Sequence, residues 1–168
     1  MTTGLLIALA LASVMVDIAV APGATLLGVR AQVTLVLIAL WAVHRPQAEA
    51  MLLAPAAGLF LGLLGNEALG VSVLALAPIV VMGTASQARS TERRLIYSIG
   101  LVVAGTLVYA LVHAIVSRLL GRPFPLELGS VRTLAALVLL NAALAAVLYW
   151  PLARLAGDPN LRDELRRF

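Results

Sequence analysis

Hydrophobic positions in this chain come in long unbroken runs rather than in the single stripes of a water-soluble fold. Leu, Ala and Val fill these runs, and polar residues gather in the short intervals between them. A helix needs about 20 mainly apolar residues to cross a bilayer. The runs predict spans at about 4–21, 30–44, 48–66, 68–86, 95–117 and 132–152. The second is the least clean: its apolar part is 31–43, and 25–29 joins it only across Arg30. It is short for a full span, so it tilts little or begins inside a protein-lined recess. Six spans is the best count, with five the alternative. No run shows the period-two alternation of a barrel strand, and in lipid only helices or closed barrels satisfy their backbone groups. The pattern predicts an all-α integral membrane protein, one transmembrane domain over 1–168 with a short cytoplasmic tail at 153–168.

Composition strengthens this picture. Of 168 residues, 62% are hydrophobic and 12% charged, with a mean hydropathy of +1.03. A soluble domain carries about a quarter charged residues to keep its surface wet. The net charge of +4 comes from twelve arginines and no lysine. They stand singly or in short groups between apolar runs, which reads as a topology signal and not as a nucleic-acid surface. With six spans, one side holds Arg45, Arg89, Arg93, Arg94, Arg154, Arg162, Arg166 and Arg167. The other holds Arg30, Arg118, Arg122 and Arg132. Eight against four places both termini in the cytoplasm. Trp41, Tyr97, Tyr149 and Trp150 are expected near the same interface, as aromatic anchors. Ala19-Val20-Ala21 before Pro22-Gly23 has the small residues of a cleavage site. Met1-Thr2-Thr3 offers no basic side chain, however, so the segment is read as a retained span.

Between the spans, 121–130 is bounded by Pro and Gly and is partly apolar, suited to lie on the membrane or on a partner. In the tail, Asp158-Pro159 reads as a helix start, with Leu161, Leu165 and Phe168 on one face. Either an interfacial helix on anionic lipids or a partner-docking helix fits.

Catalytic chemistry is thin. The chain has no cysteine, and no acid or histidine pair has metal-ligand or triad spacing. No catalytic residue, metal or cofactor is expected, and the protein is read as non-enzymatic. Three polar residues, Asp17, His113 and Asn141, do interrupt apolar runs, where burial of polar groups is costly. Asp17 either pairs with Arg30 to pin the fold or forms a proton or substrate site with His113. Asn141 suits an interhelical hydrogen bond. Ala54, Gly58 and Gly62 form a small-residue ridge, followed by Gly65, of the kind that lets helices approach closely. Pro78 is expected to kink or loosen the fourth span. A tight hairpin with one broken partner makes a groove; the plainer reading is packing among the chain's own helices.

The run Gly58-Leu-Phe-Leu-Gly-Leu-Leu-Gly-Asn-Glu-Ala-Leu-Gly-Val-Ser-Val-Leu-Ala-Leu76, behind an arginine-initiated second span, resembles the MreD family of rod shape-determining membrane proteins. Gly58 and Leu69-Gly70 match the family pattern. Gly62 stands where an acid is usual, Ala54-Pro55 replaces Gly-Phe, and Ala31 stands where a proline often introduces the second span. Size, six-span plan and basic tail fit over essentially the whole chain. The resemblance implies a scaffold of the bacterial cell-elongation machinery in the inner (plasma) membrane, supporting peptidoglycan synthesis and rod cell shape. It implies MreC as direct partner, RodA and a class B penicillin-binding protein beside it, and MreB indirectly, with homo-oligomers left open. By that reading Gly58, Gly62, Gly65, Leu69 and Gly70 shape a partner groove, and Phe60 and Leu61 contact the partner. The rival reading is the substrate-binding S component of an energy-coupling-factor vitamin transporter, whose fold is thought to be similar. Ala8-x-x-x-Ala12 fits its partner contact, but the few aromatics argue against a vitamin pocket. A small proton-linked transporter using Asp17 and His113 is a third.

Overall fold

The computed structural model describes residues 3–20, 29–65, 70–84, 91–121 and 131–156. Within them the chain forms six α-helices and no β-strand: α1 Thr3–Val20, α2 Val33–His44, α3 Gln47–Leu64, α4 Val71–Thr84, α5 Thr91–Leu119 and α6 Val131–Ala156. The helices fall on the six apolar runs with ends shifted by a few residues. Three of them, Gln47–Leu64, Arg94–Leu119 and Val131–Ala156, are long and apolar enough to cross a membrane. Of the other three, α2 and α4 are shorter, with 12 and 14 residues. At 1.5 Å per residue the 12 residues of α2 reach only about 18 Å.

That short helix is the centre of the molecule. Every residue from Thr34 to His44 is buried, as befits a helix that is apolar on all sides. It packs against all five other helices. Around it α1, α3, α4, α5 and α6 follow one another as a ring, each packed on the next. Neighbours in sequence run in opposite directions, so α2 is parallel to α6. Gln32 at its start meets Asn141, and Arg45 at its end meets the Ala156 carbonyl.

Close approach within the ring depends on glycine at two places. A Cβ on Gly58 would lie 2.7 Å from the backbone nitrogen of Val73 and 2.8 Å from its Cα. Backbone therefore meets backbone where α3 crosses α4. A Cβ on Gly83 would lie 2.6 Å from Ala42 Cβ and 3.2 Å from Leu101 Cδ2. Here α4 closes on α2 and α5. α4 remains helical through Pro78, so the proline does not end it.

The outer faces are apolar. Ile96 is 74% exposed, Val147 71% and Leu63 65%. Among its described side chains α1 buries Leu6, Ala10, Ser13 and Val14, spaced i, i+4, i+7 and i+8, and turns Leu5, Ile7, Leu11 and Met15 outward. Two of the four aromatics expected as interfacial anchors lie elsewhere: Trp41 and Tyr149 are core residues, each 2% exposed. Trp41 sits on the central helix, and Tyr149 packs edge-on against His44 with ring centroids 4.9 Å apart. Trp150 is exposed, and half-buried Tyr97 donates its hydroxyl proton to the Met82 carbonyl at 2.6 Å.

Candidate functional site

The first N–H groups of any helix lack partners within it. For α2 they are sheltered by other helices, and its N-cap residue, Gln32, supplies no side-chain cap. Neighbouring helices supply it instead. The Asp17 carboxylate of α1 accepts the Val33 N–H at Oδ1 (2.6 Å) and the Thr34 N–H at Oδ2 (2.9 Å). Asn141 of α6, fully buried, accepts the Gln32 N–H at Oδ1 (2.8 Å). The amide nitrogen of Asn141 donates to Gln32 Oε1 (3.2 Å) and to Thr106 Oγ1 of α5 (3.0 Å). Thr106 in turn donates to the Val102 carbonyl one turn back, at 2.8 Å. Three consecutive backbone donors are thus satisfied from two separate helices. A carboxylate at this place is also favoured by the positive end of the α2 dipole.

The far end of α2 is fixed by charge. Arg45 donates to both Glu49 oxygens, from Nε at 2.8 Å and from Nη2 at 2.6 Å. Its Nη1 donates to the Ala156 carbonyl at 3.1 Å, capping the last turn of α6. His44 donates from Nδ1 to the Leu40 carbonyl at 2.8 Å. Two further polar atoms of α2, Thr34 Oγ1 and Trp41 Nε1, are buried without a hydrogen-bond partner.

Of the three polar residues singled out in the apolar runs, two converge and one does not. Asp17 and Asn141 meet on successive residues of the α2 N-terminus. His113 stands seven residues beyond Thr106 on α5, about 10 Å along the axis, stacked on Tyr109 with ring centroids 4.5 Å apart. Arg30, the partner of Asp17 in one of its two readings, is exposed; the carboxylate accepts from the Val33 and Thr34 N–H groups. Gln32 and Thr106 complete the cluster and were missed. Thr106 gives no sequence signal, whereas Gln32, a polar residue just before an apolar run, had the position of a helix cap.

The residues implied as partner-binding are distributed differently. Gly58 and Gly62 are buried, Gly58 directly against α4. Phe60 and Leu61 are half-buried and pack on the core. Gly65 closes α3, its N–H donating to the Leu61 carbonyl at 2.8 Å. Gly70 opens α4 with φ of 90°, and Leu69 lies outside the described residues, as do 122–130 and the tail from 157. The Ala54-Gly58-Gly62 ridge therefore lies inside the protein, with Gly58 at the α3–α4 contact. No group of three or more metal-ligating side chains occurs among the described residues. Comparison with family models, curated proteins and solved structures gives no match.

Proposed function

We propose that this chain is a six-span protein of the bacterial inner membrane with both termini in the cytoplasm. It acts as an MreD-like, non-enzymatic scaffold of the cell-elongation machinery. Its direct partner is the single-span protein MreC, and through it RodA, a class B penicillin-binding protein and, indirectly, MreB.

The observation that carries this reading is a contrast between inside and outside. The polar cluster at the heart of the helix bundle is engaged in holding α2, and the outer faces offer apolar side chains. Work done by such a molecule is recognition by helix surfaces, where close packing and modest hydrogen bonds supply affinity. The start of α2 supports the six-span count despite the shortness of that helix. Non-helical backbone at membrane depth is tolerated where protein satisfies it, and Asp17 and Asn141 do so for residues 32–34. The arginine asymmetry supports the orientation, and the motif at Gly58 and Leu69-Gly70 supports the family.

Affinity purification of the full chain from mild detergent tests the reading. MreC together with RodA is the expected yield. Paired ATPases with a coupling subunit would replace it with the vitamin-transporter S component. A reporter fused after Phe168 is expected to signal from the cytoplasm.

A further inference from the structure

Two packed helix pairs of the ring, α3 with α4 and α5 with α6, differ in height. α5 and α6 each carry a run of uncharged residues bounded by arginines: 95–117 between Arg94 and Arg118, and 133–153 between Arg132 and Arg154. At 1.5 Å per residue these runs reach about 35 and 32 Å. In α3 the uncharged run is 50–65, preceded by Glu49 with its Arg45 partner and followed in sequence by Asn66 and Glu67. It reaches about 24 Å, and the 14 residues of α4 about 21 Å. The hydrocarbon core of a bilayer is about 30 Å thick. A helix that is too long tilts until it fits, whereas tilting only lowers a helix that is already short. α2 is shorter still, but it is buried from Thr34 to His44, so its length makes no demand on lipid. α3 and α4 do meet the surroundings: Leu52 is 55% exposed, Leu63 65% and Leu74 64%.

We propose that the outward face of α3 and α4 is an interaction surface for a thinned patch of bilayer. It gathers short or disordered acyl chains and draws the protein to thin membrane. The proposal rests on the six-span reading above and not on the identity of the protein partner. The shortfall is about 6–9 Å. A bilayer meets a short apolar belt by thinning, and such mismatch sorts proteins among membranes of different thickness. The side chains of α3 argue for lipid over another helix as the occupant. The small residues that let helices approach closely, Ala54, Gly58 and Gly62, are buried, with Gly58 against the Val73 backbone. Exposed on α3 instead are Met51, Leu52, Pro55, Leu59, Leu63 and Leu64. None of these is a Gly, Ala or Ser that would admit a neighbouring backbone.

The chain has no native cysteine, so nitroxide labels on single introduced cysteines read the local thickness. Leu52→Cys and Leu63→Cys on α3 stand 11 residues apart, as do Leu139→Cys and Trp150→Cys on α6, and all four native side chains are exposed. Each pair is separated by about 16 Å along its helix. The full chain is placed in dioleoylphosphatidylcholine vesicles, and relaxation by oxygen against a water-soluble nickel complex gives each label's depth. In a bilayer of uniform thickness the two depths of a pair sum to about 14 Å on either helix. The α3 pair is expected to sum to about half the α6 value. Equal sums would overturn the thinned patch and leave the six spans standing. Spin–spin broadening between copies at Leu63→Cys, or shielding of the α3 labels from oxygen, would put protein on this face and overturn it too. Labels of both pairs lying in water would remove the six-span reading as well.

Discussion

The start of α2, part-buried, and the buried α3–α4 crossing are both tight contacts, made by opposite chemistry. At the crossing two backbones touch because Gly58 presents no side chain to Val73, fifteen positions away. At α2 the backbone is held at a distance by side chains, a carboxylate and an amide, reaching from helices 16 and 109 residues away. The crossing tolerates no added atom, and the α2 cap tolerates no removed one. One contact is local and steric, the other long-range and polar.

The largest effect is expected where atoms are removed from the cap. Asp17→Ala leaves the part-buried Val33 and Thr34 N–H groups without that acceptor. It should cost about 2–3 kcal/mol, from the loss of a helix cap and the stranding of part-buried donors. Asp17→Asn keeps one acceptor oxygen and should cost about half as much. Thermal midpoints of the detergent-solubilised protein, followed by size exclusion, rank the two. Equal midpoints for wild type and Asp17→Ala would show that the cap does not hold α2.

Adding a single methyl at the crossing comes next. Gly58→Ala puts a Cβ within 2.7–2.8 Å of Val73 backbone atoms, which should cost about 1–3 kcal/mol by overpacking. The double variant Gly58→Ala with Val73→Ala sharpens the comparison. Trimming Val73 removes its Cγ2 but not its backbone, so little rescue is expected; full rescue would locate the clash in the side chain.

These two contacts explain what the sequence revealed and what it withheld. The six helices and the Ala54-Gly58-Gly62 ridge are legible because run length and small-residue spacing are local properties. Which side of the ridge is used, its own hairpin or a partner, is not local, and the structure places Gly58 against α4. The shortness of α2 was visible in its 31–43 apolar core, yet its cap was not, since Asp17 and Asn141 gain meaning only when α1 and α6 flank residue 33. Trp41 and Tyr149 misled for the same reason. An aromatic near a helix end reads as an anchor until the helix proves to be central.

A smaller effect is expected from Asn141→Leu. It deletes three hydrogen bonds, to the Gln32 N–H, the Gln32 side chain and Thr106. Interhelical bonds in membranes average about 0.6 kcal/mol each, so the loss should be about 1–2 kcal/mol. Thr106 keeps its bond to Val102, which limits the damage. If Asn141→Leu proved as harmful as Asp17→Ala, the cap would act as one cooperative unit and not as separate bonds.

The smallest effect is expected at the other end of α2, where local and long-range contacts share one side chain. Arg45 grips Glu49 four residues on and the Ala156 carbonyl 111 residues on. Both side chains of the ion pair keep some exposure, 22% and 16%, so the pair is partly screened and should contribute about 0.5–1 kcal/mol. Arg45→Lys cannot reproduce the two-pronged grip and the third bond together, because an ammonium lacks the guanidinium fork. Glu49→Gln weakens the ion pair and leaves the bond to Ala156 in place. The difference between the two variants therefore isolates the long-range link, and salt separates the terms further. The Glu49→Gln loss should shrink in high salt, while the part of the Arg45→Lys loss due to Ala156 should persist. If both losses vanish together in high salt, the tie from Arg45 to α6 adds no measurable stability, and α2 is anchored from its capped start alone.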